Sequence, residues 1–234
     1  ETLEKRWAER EDNIVFWDMY GGEPMIIPLF WKTLERAVTS ATVKDKMFNV
    51  HTNGMIYKDD LVEKISKFKS AHIGFSIDAI GKKNDYIRTG SKWENILDNL
   101  KRYLDDCKKY DNVTIDIRTT YTPWNIYYYD EIFDYFQKEF GVNSRGCWCT
   151  DKPWNDIRYV PKKVKDAIIG KISKYESNNE TWKRRFEDLK KWIATEPADY
   201  EEKQNSFMEF NTKIDNIRKE KFEEVFPEYS KLFT

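Results

Sequence analysis

The 234-residue sequence predicts an α/β fold: parallel strands wound by right-handed crossovers, in a sheet open or closed into a barrel, then a mainly helical C-terminal part. Three observations predict it. Short apolar or alternating runs at 14–20, 47–50, 71–78 and 113–121 are separated by segments with helical spacing. Strand and helix patterns alternate to about residue 150. Beyond Pro153 the strand patterns stop and charged helical patterns take over.

Residues 1–12 read as the end of a helix, and Ile14–Tyr20 as the first strand, halted by Gly21-Gly22-Glu23-Pro24. Pro24 suits a first helical turn, and the helix it opens runs to about Ala41, its start delayed by Pro28. Met47–Val50 is a short strand leading into His51-Thr52-Asn53-Gly54. Asp59–Lys67 is helical, with Leu61, Val62, Ile65 and Phe68 on one face. Ala71–Asp78 alternates as a strand. Ser91-Lys92-Trp93-Glu94 has the pattern of a capping box. The helix after it carries Trp93, Ile96, Leu100, Tyr103 and Cys107 as one stripe, which makes Cys107 a small core residue. Val113–Tyr121 alternates cleanly, Ile126–Phe140 is a helix capped by Gly141, and Val142–Thr150 is a further strand. Helices are expected at Pro161–Tyr175, Thr181–Ala194 and Tyr200–Phe226.

Composition excludes several classes. Lys+Arg is 40 and Asp+Glu 41, a net charge of −1 that gives no reason to expect nucleic acid or an acidic membrane surface as partner. Mean hydropathy is −0.81, and no apolar run is long enough to span a bilayer. Three cysteines, without a signal-peptide pattern, point to a reducing compartment and a cytoplasmic location.

Strand parity places polar groups together. If Ile73, Phe75 and Ile77 face helices, then His72, Gly74, Ser76 and Asp78 face the opposite way. The same rule puts Asp116, Arg118 and Thr120 on that inner side. A barrel interior without a ligand is normally filled by branched apolar side chains, so this lining indicates a cavity for something polar, unless Asp116 and Arg118 merely pair with neighbours. The Gly21-Gly22 elbow, at a strand's carboxyl end, is where ligands bind in parallel α/β sheets.

Four motifs in order, GGEP at 21–24, HTNG at 51–54, SIDA at 76–79 and YIRTG at 86–90, resemble those of radical S-adenosylmethionine (radical SAM) enzymes. The segment 210–228, and Pro153 followed by Ile157–Pro161, resemble the subgroup with a twitch extension. The resemblance implies a partial (β/α)6 TIM-like barrel at 1–150, its first strand missing, and a helical twitch-like extension at 151–234. It implies that Gly21, Gly22 and Glu23 accept from the methionyl ammonium of the cofactor, S-adenosyl-L-methionine. Thr52 and Asn53 would line the same pocket, Ser76 and Asp78 would contact the ribose or the methionyl carboxylate, and Arg88 would clamp that carboxylate. Arg118 joins this cofactor-binding set from the inner face. The implied activity is hydrogen abstraction by a 5′-deoxyadenosyl radical, from a peptide or protein substrate, with flavodoxin or ferredoxin as electron donor.

The family holds a [4Fe–4S] cluster on CxxxCxxC, and no such motif precedes GGEP, so its ligands are expected upstream of Glu1. Cys147-Trp148-Cys149 supplies two thiols and is expected to be free, and His51 and His72 are the only histidines, so no metal ligand is assigned. Two other readings stand beside this one. A hydrolase barrel would use paired carboxylates among Glu23, Asp78 and Asp116. A cluster-free relative would be a binding module.

Overall fold

A computed structural model describes Lys5, Arg10 and residues 13–175 and 180–234. The expected helix end at 1–12 lies outside the described residues, apart from Lys5 and Arg10. Five strands form one sheet in the order of the sequence: β1 (Phe16–Met19), β2 (Met47–Thr52), β3 (Ser70–Ser76), β4 (Val113–Tyr121) and β5 (Ser144–Trp148). β1 to β4 pair in parallel, with Asp18 beside Asn49, Asn49 beside His72, and Gly74 beside Asp116. β5 follows suit, since Ile117 N–H donates to Asn143 and Cys149 N–H to Tyr121. With helices between successive strands, the sheet is the α/β, partial TIM-like barrel that the sequence predicts, followed by a helical C-terminal part.

Two compact units divide the chain. The first holds residues to Ile77, Gly90–Arg118 and Gly141–Arg145, and the second holds Asp78–Thr89, Thr119–Phe140 and Gly146–Thr234. In the first unit, α1 (Pro28–Thr39), α2 (Leu61–Ile65) and α4 (Trp93–Cys107) cover one face of the sheet. Phe48, Val50, Ile73 and Phe75 are buried there, and the Phe75 ring meets Tyr103 of α4 edge-on. Pro28 does delay the first helix: Pro24–Ile26 is a 3-10 turn, and α1 begins at Pro28 itself.

The second unit carries α3 (Lys82–Ile87), α5 (Tyr129–Phe140), α6 (Lys162–Lys174), α7 (Glu180–Ala194) and the C-terminal helices. Its core is largely aromatic, with Tyr86, Tyr121, Tyr129, Phe207, Phe222 and Phe226 buried together. The predicted helix at 200–226 is three pieces: α8 (Tyr200–Lys203), α9 (Ser206–Arg218) and α10 (Phe222–Val225). Lys219 adopts φ 59°, a left-handed cap that ends α9 and that periodicity does not report. The Ser91 capping box is also corrected, since α4 begins at Trp93 with Lys92 as its cap and no side-chain cap bond. Among the described residues no helix is long and apolar enough to cross a membrane.

Candidate functional site

The Gly21-Gly22 elbow forms where β1 ends. Both glycines have positive φ, 95° and 57°, which L side chains rarely adopt, and both are exposed. The turn delivers Glu23 into the first unit, where it is 7% exposed. Its carboxylate receives the Asn53 N–H at 2.7 Å, the Met25 N–H at 3.3 Å and the Thr52 hydroxyl at 3.1 Å from each oxygen. Thr52 Oγ1 in turn accepts from the Gly54 N–H, and Asn53 Oδ1 from the Met55 N–H. Gly54 sits at φ 76°, and a Cβ there would lie 2.9 Å from the Phe75 ring, so only glycine lets the HTNG turn close onto Glu23. Glu23 thus has three neutral donors and, among the described residues, no cation. These contacts fall two on each oxygen, so neutral donors satisfy the carboxylate while its negative charge is left without a counter-ion.

In the second unit the SIDA and YIR residues meet. Asp78 lies two residues beyond β3, and its backbone N–H donates to Asn84 Oδ1 at 3.1 Å. Its Oδ1 accepts from the Thr120 N–H at 2.8 Å, and its Oδ2 lies 2.8 Å from Arg88 Nε. That last contact is one of charge, because the Nε–H is buried without an aligned acceptor. Arg88 follows α3, whose Tyr86 hydroxyl bonds Asn211 at 2.9 Å and Asp215 at 2.5 Å, both on α9. Arg218 donates to the Tyr86 carbonyl at 2.9 Å. Arg88 is therefore held on both sides, by Asp78 and by the clasp on the preceding helix.

The inner face of the sheet in the first unit is polar, as parity predicts. Asp116 is 2% exposed and is ringed by His72 Nε2 at 2.7 Å, Arg118 Nε at 2.6 Å and Arg145 Nε at 2.7 Å. Burial alone would raise its carboxyl, but the bond and charge of His72, then of Arg118, hold it below the usual range. Asn49 links Asp18 at 2.7 Å to His51 at 3.0 Å. Burial first, then the charge of Arg118, lowers the His51 pKa. Ser76, beside Arg118 in the register, is half-buried.

Each predicted residue thus sits in one of three groups: Gly21, Gly22, Glu23, Thr52 and Asn53 at the elbow; Asp78 with Arg88; and Arg118 on Asp116, with Ser76 beside it. Sequence reasoning missed Asn84, Met25 and Arg145. Only Asn84 left a signal, as an amide inside a short helix and fully buried.

The fold is similar to that of solved structures of anSMEcpe. The native protein with bound AdoMet and Cp18Cys peptide matches at TM-score 0.50 and 14% identity, over 75% of this chain and 48% of that chain. The histidine-tagged form with bound AdoMet matches at TM-score 0.50 and 16% identity, over 75% and 46%. What is shared is the fold, a sheet of parallel strands alternating with helices. At these identities the likeness concerns the fold alone, and the chain spans about half the length of the solved chains it matches. No family model and no curated protein matches the sequence.

The cysteines do not suit a cluster. All three are free, Cys147 exposed, Cys149 Sγ donating to Asp151 at 2.8 Å and Cys107 half-buried with its thiol pushed up to about 12 by burial. No group of three or more metal-ligating side chains occurs among the described residues.

Proposed function

We propose that this chain is the cofactor-binding part of a radical SAM enzyme that acts on a peptide. The observation that carries this is Glu23, a buried carboxylate beside a glycine elbow, satisfied by neutral donors and left with its charge. An ammonium needs acceptors and a negative centre, and Glu23 with the Gly21 and Gly22 carbonyls supplies both. Arg88 supplies the converse: its Nε faces Asp78, and its terminal N–H groups match a carboxylate. S-adenosylmethionine carries both groups at its methionyl end. Thr52 and Asn53 hold Glu23 in place rather than touching the ligand with their donors, and Asp78 orients Arg88. Ser76 is left for the ribose.

The likeness to an AdoMet-bound and peptide-bound fold supports both the cofactor and a peptide substrate. When bound beside a [4Fe–4S] cluster, S-adenosylmethionine supplies a carbon radical, and the described residues offer no ligand set for that cluster. This chain's own share is binding, orientation and exclusion of water. The hydrolase reading fits less well. Asp78 and Asp116 both carry cations, and the Asp116 carboxyl is shifted down, the wrong direction for a general acid.

Calorimetry with S-adenosylmethionine tests the assignment. Arg88→Ala and Glu23→Gln should each weaken binding at least about tenfold, because each removes a charge-assisted contact. Lys92→Ala, an exposed residue at the start of α4, should leave it unchanged. Unchanged affinity in both variants, with intact circular dichroism, makes the elbow and Arg88 structural.

A further inference from the structure

The Asp116 cluster carries more positive charge than its carboxylate needs. Asp116 holds Arg118 and Arg145 by their Nε atoms, and it also bonds His72, whose other nitrogen contacts Thr114 at 2.9 Å. One carboxylate against two guanidiniums leaves a surplus of one positive charge. Arg118 donates to Asp116 through Nε, Arg145 meets Asp116 Oδ2 by charge without an aligned hydrogen bond, and the terminal NH2 groups of neither donate a hydrogen bond to a described residue. Arg118 is 32% exposed and Arg145 55%, so those groups are reachable.

Gly74 makes the arrangement possible. It lies beside Asp116 in the register, and a Cβ there would sit 3.1 Å from Arg118 Cγ and 3.2 Å from His51 Nδ1. Its φ is not one that demands glycine, so the missing side chain serves space alone. Asp18, in the same row of the register as Asn49 and His72, is engaged by Asn49 and lies 3.4 Å from His51.

From this we infer that the inner face of the sheet is a subsite for a carboxylate of the substrate, gripped by the terminal N–H groups of Arg118 and Arg145. The surplus of one charge matches a singly charged carboxylate and leaves a phosphate dianion uncompensated. Arg118 is thereby a substrate residue and Asp116 a positioning residue that sets the two forks. The proposal rests on the peptide-modifying reading above and narrows it to acidic peptides, bearing a Glu or Asp side chain.

Arginine side-chain N–H resonances, followed in the chain by NMR, test it. The probes are acetyl-Ala-Glu-Ala-amide, its Gln counterpart, acetyl-Ala-Ala-Ala with a free carboxylate, and inorganic phosphate. The Glu peptide should shift the Arg118 and Arg145 signals, and the Gln peptide should not. Arg145→Gln, at an exposed position, should weaken the Glu peptide at least about tenfold while leaving S-adenosylmethionine affinity unchanged. Arg118→Lys, which keeps the charge and loses the fork, should weaken it as well. Equal shifts with Glu and Gln peptides, a response to phosphate as strong as to Glu, or a response to the C-terminal carboxylate alone would each overturn the proposal. If the Glu peptide binds and S-adenosylmethionine does not, the functional reading fails and the subsite stands.

Discussion

Glu23 and Asp116 are both buried carboxylates of the first unit, 7% and 2% exposed, yet their surroundings are opposite. Glu23 is held by two backbone N–H groups and a hydroxyl, Asp116 by an imidazole and two guanidiniums. Neutral donors fix a carboxylate without cancelling its charge, so Glu23 remains attractive to an incoming cation. Cationic partners cancel that charge and then exceed it, so Asp116 turns its neighbourhood attractive to anions. The same functional group thus makes two surroundings of opposite charge in the first unit, and the choice of partners decides which.

The widest separation between the two should appear on removal. Asp116→Ala leaves two partly exposed guanidiniums and His72 without their shared carboxylate, and it should cost more in urea unfolding than loss of any one neutral donor to Glu23. A cost below about 1 kcal/mol would show that Asp116 is not the anchor of that cluster. Thr52→Val removes one neutral donor from Glu23 and leaves the Gly54 N–H without its acceptor, so it should cost less, about 1–3 kcal/mol. It should leave the Asp116 cluster, and the response of Arg145 to the Glu peptide, unchanged.

The smallest effect is in acid titration, where Asp116 and His51 on the inner face are expected to act in different pH ranges. The Asp116 carboxyl is depressed by His72 and Arg118 against burial, so its stabilisation is present above the ordinary aspartate value of about 3.9 and is lost as pH falls toward the lowered value. His51 is depressed by burial and Arg118, so the unfolded chain takes up its proton first, and stability declines as pH falls below about 6.5. Two steps are therefore expected in stability against pH. His51→Gln should remove the upper step and Asp116→Asn the lower one. A single step that survives both substitutions would break this assignment.

Much of this is legible in the sequence, for reasons that differ by residue. Alternation reports which face a strand residue takes, so it places Asp116, Arg118 and His72 together and bounds Val113–Tyr121 correctly. The glycine elbow is legible because positive φ selects the residue type. Arg145 is not legible, since β5 is short and its parity carries little apolar signal. Nor is the break at Lys219, because a left-handed cap filled by lysine looks like any exposed helical position. The contrast between Glu23 and Asp116 is beyond reach for a deeper reason: partners separated by 30 and 44 residues are fixed by register, and sequence spacing does not give register across strands.

The clasp on Tyr86 has a consequence for the order in which the chain is completed. Its hydroxyl reaches Asp215 across 129 residues of sequence, and Arg218 reaches back to the Tyr86 carbonyl across 132. During synthesis the strands of the first unit can pair as they emerge, but the helix that precedes Arg88 lacks its Tyr86 clasp until α9 has been made. Closing so long a loop comes late, since its entropy must be met before the contact stabilises anything. A nascent chain that stops short of α9 therefore carries a finished glycine elbow and a helix before Arg88 that still lacks its clasp.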